Sequence, residues 1–290
     1  LKEDGSFRLD QKYFNYTTGL TMTNNNFSKL FGKKVRNPNH ENIEQFHMDI
    51  ASSVQAVIEK IVLKMTNSIS SLYKVKNLCL AGGVALNCVL NSKILKEGSF
   101  NNIWVQPAAG DAGGALGAAL LLWYNEMQNT RNIDNNDSMK GSYLGPQFDS
   151  KEIENSLIKI GANYKLLDNE TIIKETVKAL IEGKAIGWFQ GRMEFGPRAL
   201  GCRSIIADPR SDKMQKLLNL KIKYRESFRP FAPSVLREDA KSWFDLDIDS
   251  PYMLFVANVL DKHCIKMTKD NKKLFGIDKL NIKRSNIPAV

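Results

Sequence analysis

Apolar residues recur at helical spacing from Ile43 to Ile69, at Ile43, Phe46, Ile50, Val54, Val57, Ile58, Ile61 and Val62, which predicts a long amphipathic helix. Leu78-Cys-Leu-Ala81 is a short apolar run ended by Gly82-Gly83 and reads as a buried strand; residues 84–96 then read as a helix stopped at Gly98. The order repeats with a strand at residues 103–107, a glycine turn at residues 110–114 and a helix through about Met127. Strand, glycine turn and helix in succession, twice over, predict the α/β class. A polar, Asn/Asp-rich stretch at residues 129–141 is the linker candidate, which divides the chain into domains at 1–128 and 142–290. Beyond it, helices are predicted at 150–160, 171–182 and 213–221, and strands at 185–189, 234–236 and 252–259. Residues 1–40 are polar and dotted with aromatics, and read as strands and loops with little helix.

Composition adds bounds. A length of 290 residues suits about two domains, and 43% hydrophobic with 25% charged residues describes a globular, water-soluble chain. The longest nearly apolar run, Ala112 to Tyr124, is too short to cross a bilayer, so no membrane partner is expected. The opening Leu-Lys-Glu-Asp-Gly-Ser carries no leader-like apolar segment and no initiator Met, and is read as the start of an internal piece of a longer protein. Four cysteines, at 79, 88, 202 and 264, form no CxxC pair, so reduced, mostly buried thiols in a cytoplasmic protein are expected. The net charge of +10 raises nucleic-acid binding. No continuous basic block is present, however, and the arginines concentrate between 192 and 237, which favours a local anion site with no nucleic acid as partner.

Two segments carry candidate chemistry. Gly82 and Gly83 follow a predicted strand, where a missing Cβ lets a ligand approach the backbone and the next helix offers its N–H groups; the plainer alternative is strand-to-helix geometry alone. Gly110 and Gly113 flank Asp111 at a second helix start. Asp111 reads either as a helix N-cap or as a carboxylate that shares a divalent cation with phosphates docked at the glycines. The second segment is Gly187-Trp-Phe-Gln-Gly-Arg-Met-Glu-Phe-Gly-Pro-Arg-Ala-Leu-Gly-Cys-Arg-Ser204, with Arg192, Arg198 and Arg203 between glycines and a proline. Such a loop can aim several guanidiniums at one anion, and Glu194 could orient an arginine or hold a cation. A further basic group, Lys221 to Pro233, contains Arg225 and Arg229. The alternative for both groups is a set of surface ion pairs with Glu194, Glu226, Asp208 and Asp212.

Residues 78–87 (LCLAGGVALN) with 107–119 (PAAGDAGGALGAA) resemble the actin-like (ASKHA) ATPase lobe of the NodU/CmcH-type O-carbamoyltransferases, relatives of the tRNA threonylcarbamoyl-transfer protein TsaD. GRMEFGPRALGCRSI and IKYRESFRPFAPSVL resemble the YrdC-like C-terminal domain of the same family. The resemblance implies part of an actin-like lobe followed by part of a YrdC-like α/β domain. It places Gly82, Gly83 and Asn87 near ATP and makes Asp111 a ligand of a divalent metal, Mg or Fe. The family's His-x-x-x-His metal ligands have no counterpart among His40, His47 and His263; His40 and His47 read as ordinary loop and helix residues, and His263 as part of a polar tail with no partner. The resemblance further implies formation of carbamoyl-adenylate from carbamoyl phosphate and ATP, and transfer of the carbamoyl group to a hydroxyl of a small-molecule or sugar acceptor. Arg192, Arg198, Arg203 and Arg229, with Lys184 as a further candidate, are then the phosphate clamps. A tRNA threonylcarbamoylation enzyme and a non-catalytic nucleotide-binding module are the alternative readings, and the oligomeric state stays open.

Overall fold

The computed structural model describes residues 1–133 and 136–290. The linker predicted at 129–141 includes Asp134 and Asn135, which lie outside the described residues. The chain divides into two compact units, Leu1–Leu78 with Lys93–Asn102, and Cys79–Ser92 with Ile103–Val290. Helices and short strands mix throughout, in keeping with the α/β expectation.

In the first unit, helix α1 (Asn25–Phe31) interrupts a region expected to be mostly strand and loop. Its ends explain the difference: Asn24 accepts the Asn26 N–H at the start, and Gly32 takes the left-handed conformation at the end. Phe27 and Phe31 of α1 pack at 4.9 Å between ring centres, and Phe14 and Phe46 flank them at 6.2 and 6.4 Å. The long helix α2 (Gln45–Tyr73) forms as predicted and runs four residues further. His47 caps it, its Nδ1 accepting the Glu44 N–H at 3.0 Å. Of its apolar stripe only Ile61 is fully buried, while Val54 and Val57 are more than half exposed.

Strand β1 (Asn77–Leu80) is followed by a 3-10 turn at Gly83–Leu86 and only then by helix α3 (Cys88–Glu97). The helix expected from residue 84 therefore starts later. Asn87 delays it, its Oδ1 accepting the Leu90 N–H at 3.0 Å. Strand β2 (Asn102–Val105) joins β1 in a two-stranded sheet. Helix α4 (Asp111–Leu121) continues as a π-helical turn to Glu126.

Further along the second unit stand α5 (Ser150–Lys159) and α6 (Asn169–Ile181), each started by an aspartate cap. Strands β3 (Ile186–Phe189) and β4 (Arg203–Ile206) pair antiparallel, Phe189 opposite Arg203. Helix α7 (Met214–Leu217) widens into a π-helical turn at Leu218–Ile222. The strands expected at 234–236 and 252–259 do not form; apart from a lone bridge between Phe244 and Val259 these residues are irregular. Side chains supply the backbone partners of the second stretch: Asn91 Nδ2 donates to the Leu254 carbonyl at 3.0 Å, and Ser92 Oγ accepts the Val256 N–H at 2.7 Å. Leu254 and Tyr252 are buried there with Ala85, Val105, Ala109 and Met139, with Phe195 and Leu200 packed against them.

Two smaller expectations also change. Of the four free cysteines only Cys202 is buried, and Cys79 and Cys264 are exposed. His263 has a partner after all: its ring stacks on Trp243 at 3.9 Å, with Nε2 2.9 Å from the Ser242 carbonyl.

Candidate functional site

The first glycine turn is open. Gly82 has φ +97°, and a Cβ added at Gly82 or Gly83 would meet nothing within 4 Å, so this backbone is free to be approached from solvent. Gly82 N–H is spent on the Ala109 carbonyl at 2.8 Å, which ties the two glycine turns together. In the second turn Gly110 is the cap residue and gives no side-chain bond. Asp111 is therefore the first residue of α4 rather than its N-cap. It is exposed, and its carboxylate accepts no hydrogen bond from the described residues. Gly113 has a packing reason to be glycine: a Cβ there would lie 2.2 Å from the Ala108 carbonyl oxygen. Among the described residues no three His, Cys, Asp or Glu side chains gather as a metal would require.

The arginine loop is a built structure. Glu194, only 7% exposed, turns its Oε1 onto three backbone N–H groups, those of Leu200 and Cys202 at 2.8 Å and Arg203 at 3.2 Å. It neither pairs with an arginine nor joins a cation cluster among the described residues, so the orienting role expected of it falls on the backbone instead. Burial pushes the Glu194 carboxyl up, but the N–H groups of Leu200, Cys202 and Arg203 outweigh burial and hold it below the usual carboxylate range. From the other side, Phe195 N–H donates to Ser142, Met193 N–H to Pro146, and Tyr143 Oη donates to the Leu200 carbonyl at 2.8 Å. Gly196 and Gly201 stand at φ +126° and +109°, which side chains rarely tolerate. The missing Cβ of Gly196 faces Pro107 and Ala108 at 3.4 Å, so the loop abuts the second glycine turn.

Its arginines differ in freedom. Arg203 is consumed locally: its guanidinium donates to the carbonyls of Gln190, Gly191 and Cys202 and lies over the Phe189 ring at 3.4 Å. Arg192 donates to the Gly145 carbonyl at 3.0 Å. Arg198 is half-buried, and its Nε is fully buried with no partner among the described residues. A buried donor left open costs free energy until an acceptor arrives.

The second basic segment is organised by Asn219, which sequence reasoning passed over. Its side chain is completely buried. Oδ1 accepts Arg225 Nε at 2.6 Å, and Nδ2 donates to the carbonyls of Ser227 and Arg229 at 3.2 and 2.8 Å. The available signal was a polar residue flanked by Leu217, Leu218 and Leu220. Arg229 itself pairs with Glu226 at 2.9 Å on the surface, and Lys184 with Glu182 at 2.6 Å; the Glu182 hydrogen bond and charge raise the Lys184 pKa. Arg210 likewise pairs with Asp208. A cavity of about 460 Å³ opens beside this segment, lined by Lys213, Lys216, Lys221 and Phe228 among others; Arg192, Arg198 and Arg203 do not line it.

Comparison with known proteins fits this division of motifs. A family model described as the carbamoyltransferase N-terminus matches residues 1–120, and one described as the carbamoyltransferase C-terminus matches residues 177–290. An uncharacterized protein of Synechocystis, sll1178, is 55% identical over 100% of this chain and 47% of its own length. Nodulation protein NolNO of Sinorhizobium fredii is 44% identical over 74% of this chain and 32% of its own. Nodulation protein NolO of Bradyrhizobium diazoefficiens is 41% identical over 74% of this chain and 39% of its own. The chain thus spans less than half the length of these relatives. With both family models matched in order and both motif groups in place, the chain belongs to the carbamoyltransferase family.

Proposed function

We propose that this chain is part of an ATP-dependent O-carbamoyltransferase, comprising a portion of an actin-like lobe and a portion of a YrdC-like domain. The protein makes carbamoyl-adenylate from carbamoyl phosphate and ATP and passes the carbamoyl group to a hydroxyl of a small-molecule or sugar acceptor. Family membership supports the transferase chemistry. The observation that carries the phosphoryl-binding part is the open, buried Nε of Arg198 in a loop fixed on both sides. A guanidinium whose Nε is already stripped of water forms a strong charge-assisted bond to a phosphoryl oxygen once the loop admits it. Arg192 adds positive charge, Arg203 shapes the loop, and Arg229 would have to leave Glu226 to join them. Among the described residues no helix is long and apolar enough to cross a membrane.

The residues present fit a nucleotide in one respect: Gly82 and Gly83 leave open backbone and α4 presents its first N–H groups beside them. For a divalent metal they offer one carboxylate, Asp111, and no cluster among the described residues completes a coordination sphere. No step is therefore assigned to a metal here. Release of pyrophosphate from ATP that depends on carbamoyl phosphate is the direct test. Arg198→Ala is expected to abolish it with the melting temperature unchanged; near-normal release in that variant would sink the clamp assignment. ATP binding without any such release in the wild-type protein would favour a binding module.

A further inference from the structure

We propose that Glu194 is the positioning residue of the arginine loop: its carboxylate closes the loop's backbone and thereby holds the Nε of Arg198 in its buried, partner-free place. The inference rests on the reading of Arg198 as a phosphoryl-binding group. Glu194 Oε1 binds the N–H of Leu200 at 2.8 Å, so the side chain closes a ring around Gly196, Pro197 and Arg198. The bonds to Cys202 and Arg203 extend the clasp into β4. Without the carboxylate, three donors in a largely buried place lose this acceptor together.

Charge makes the placement specific. A bare carboxylate within a few ångströms of a phosphate repels it strongly in a water-poor site. Here the negative charge is turned onto backbone N–H groups, and no ion pair with Arg192, Arg198 or Arg203 forms among the described residues. A ligand therefore displaces no carboxylate from Arg198. Glutamine in the same place offers a neutral acceptor of the same reach, with hydrogen bonds of about half the strength; alanine offers none.

The test uses this chain, inorganic pyrophosphate as probe, and the arginine Nε–H NMR signal of Arg198, identified by its loss in Arg198→Lys. In the wild type this signal is expected to exchange slowly with solvent and to shift saturably with pyrophosphate. In Glu194→Ala, well below its melting temperature, amide protection at Leu200, Cys202 and Arg203 is expected to vanish and the pyrophosphate dissociation constant to rise roughly tenfold, the lower range for losing a supporting partner of a site. Glu194→Gln is expected to fall between the two. If Glu194→Ala loses protection and melting temperature but binds pyrophosphate as the wild type does, Glu194 is only a structural brace and the proposal fails. If the wild-type Arg198 signal ignores pyrophosphate, the phosphoryl-binding reading fails first and takes the positioning role with it.

Discussion

Replacing Asn219 by alanine removes a fully buried side chain whose polar atoms all have partners. Two of the lost bonds are amide-to-carbonyl, worth about 1 kcal/mol each, and the third joins a charged guanidinium and is worth about 1.5–3 kcal/mol. The Arg229 carbonyl keeps a second donor, Gln215 Nε2 at 3.1 Å, so the left-over cost falls on Ser227 and Arg225. The sum is about 3–5 kcal/mol, a fall in melting temperature on the order of 10 °C. Asn219→Asp is the sharper variant because it keeps the shape and the Oδ1 acceptor for Arg225. It replaces the amide donor by a second acceptor aimed at the carbonyls of Ser227 and Arg229. Both variants are expected to lose comparable stability in thermal melts followed by circular dichroism. Both should also speed hydrogen exchange at the Arg225 N–H, which donates to the Asn219 carbonyl at 3.0 Å. If Asn219→Asp melts within about 1 °C of the wild type, volume rather than hydrogen bonding keeps this residue in place.

Leu254→Ala, at a position 2% exposed, is expected to cost about 2–5 kcal/mol in denaturant titration; a loss below about 1 kcal/mol would mean that this segment is not part of the core. Gly113→Ala drives a Cβ to 2.2 Å from a carbonyl and is expected to destabilise, whereas Gly114→Ala enters open space and should stabilise α4 by up to about 1 kcal/mol; equal melting temperatures for the two variants would contradict this. The Glu194 carboxyl is depressed in the folded state. Its contribution is therefore complete above the ordinary carboxyl range and is lost as pH falls through the lowered folded value. The stability gap between wild type and Glu194→Gln should accordingly narrow in acid, and a gap that stays constant across acid titration would rule this out. Asp111→Asn is expected to weaken manganese binding measured by electron paramagnetic resonance, and unchanged binding would remove Asp111 from any metal site.

Much of the frame could be read before any coordinates. The period of α2 and the paired strand–glycine–helix units depend on local pattern, which a sequence displays directly. The stretch at 252–259 could not be placed that way. Its apolar run suits a strand, yet the backbone of Leu254 and Val256 bonds to side chains of Asn91 and Ser92. At the site, the cluster of arginines was visible, and so was a carboxylate among them. Which way Glu194 points was not, because ion pairing with a guanidinium and bonding to backbone N–H groups use the same residue types. Gly113 looked like a ligand-facing glycine and turns out to be required by the Ala108 carbonyl behind it. Asn219 was hidden by its helical surroundings, where one polar residue reads as a solvent-facing position.

The bonds that Asn91 and Ser92 make to Leu254 and Val256 join residues 163 and 164 positions apart. On a ribosome, the glycine turns and the start of α3 emerge long before their partners exist. Until residues 252–256 are made, Ala85, Val105 and Ala109 lack part of their cover. Closure across so long a separation is entropically slow. The nascent segment therefore keeps apolar surface exposed until the later stretch has docked.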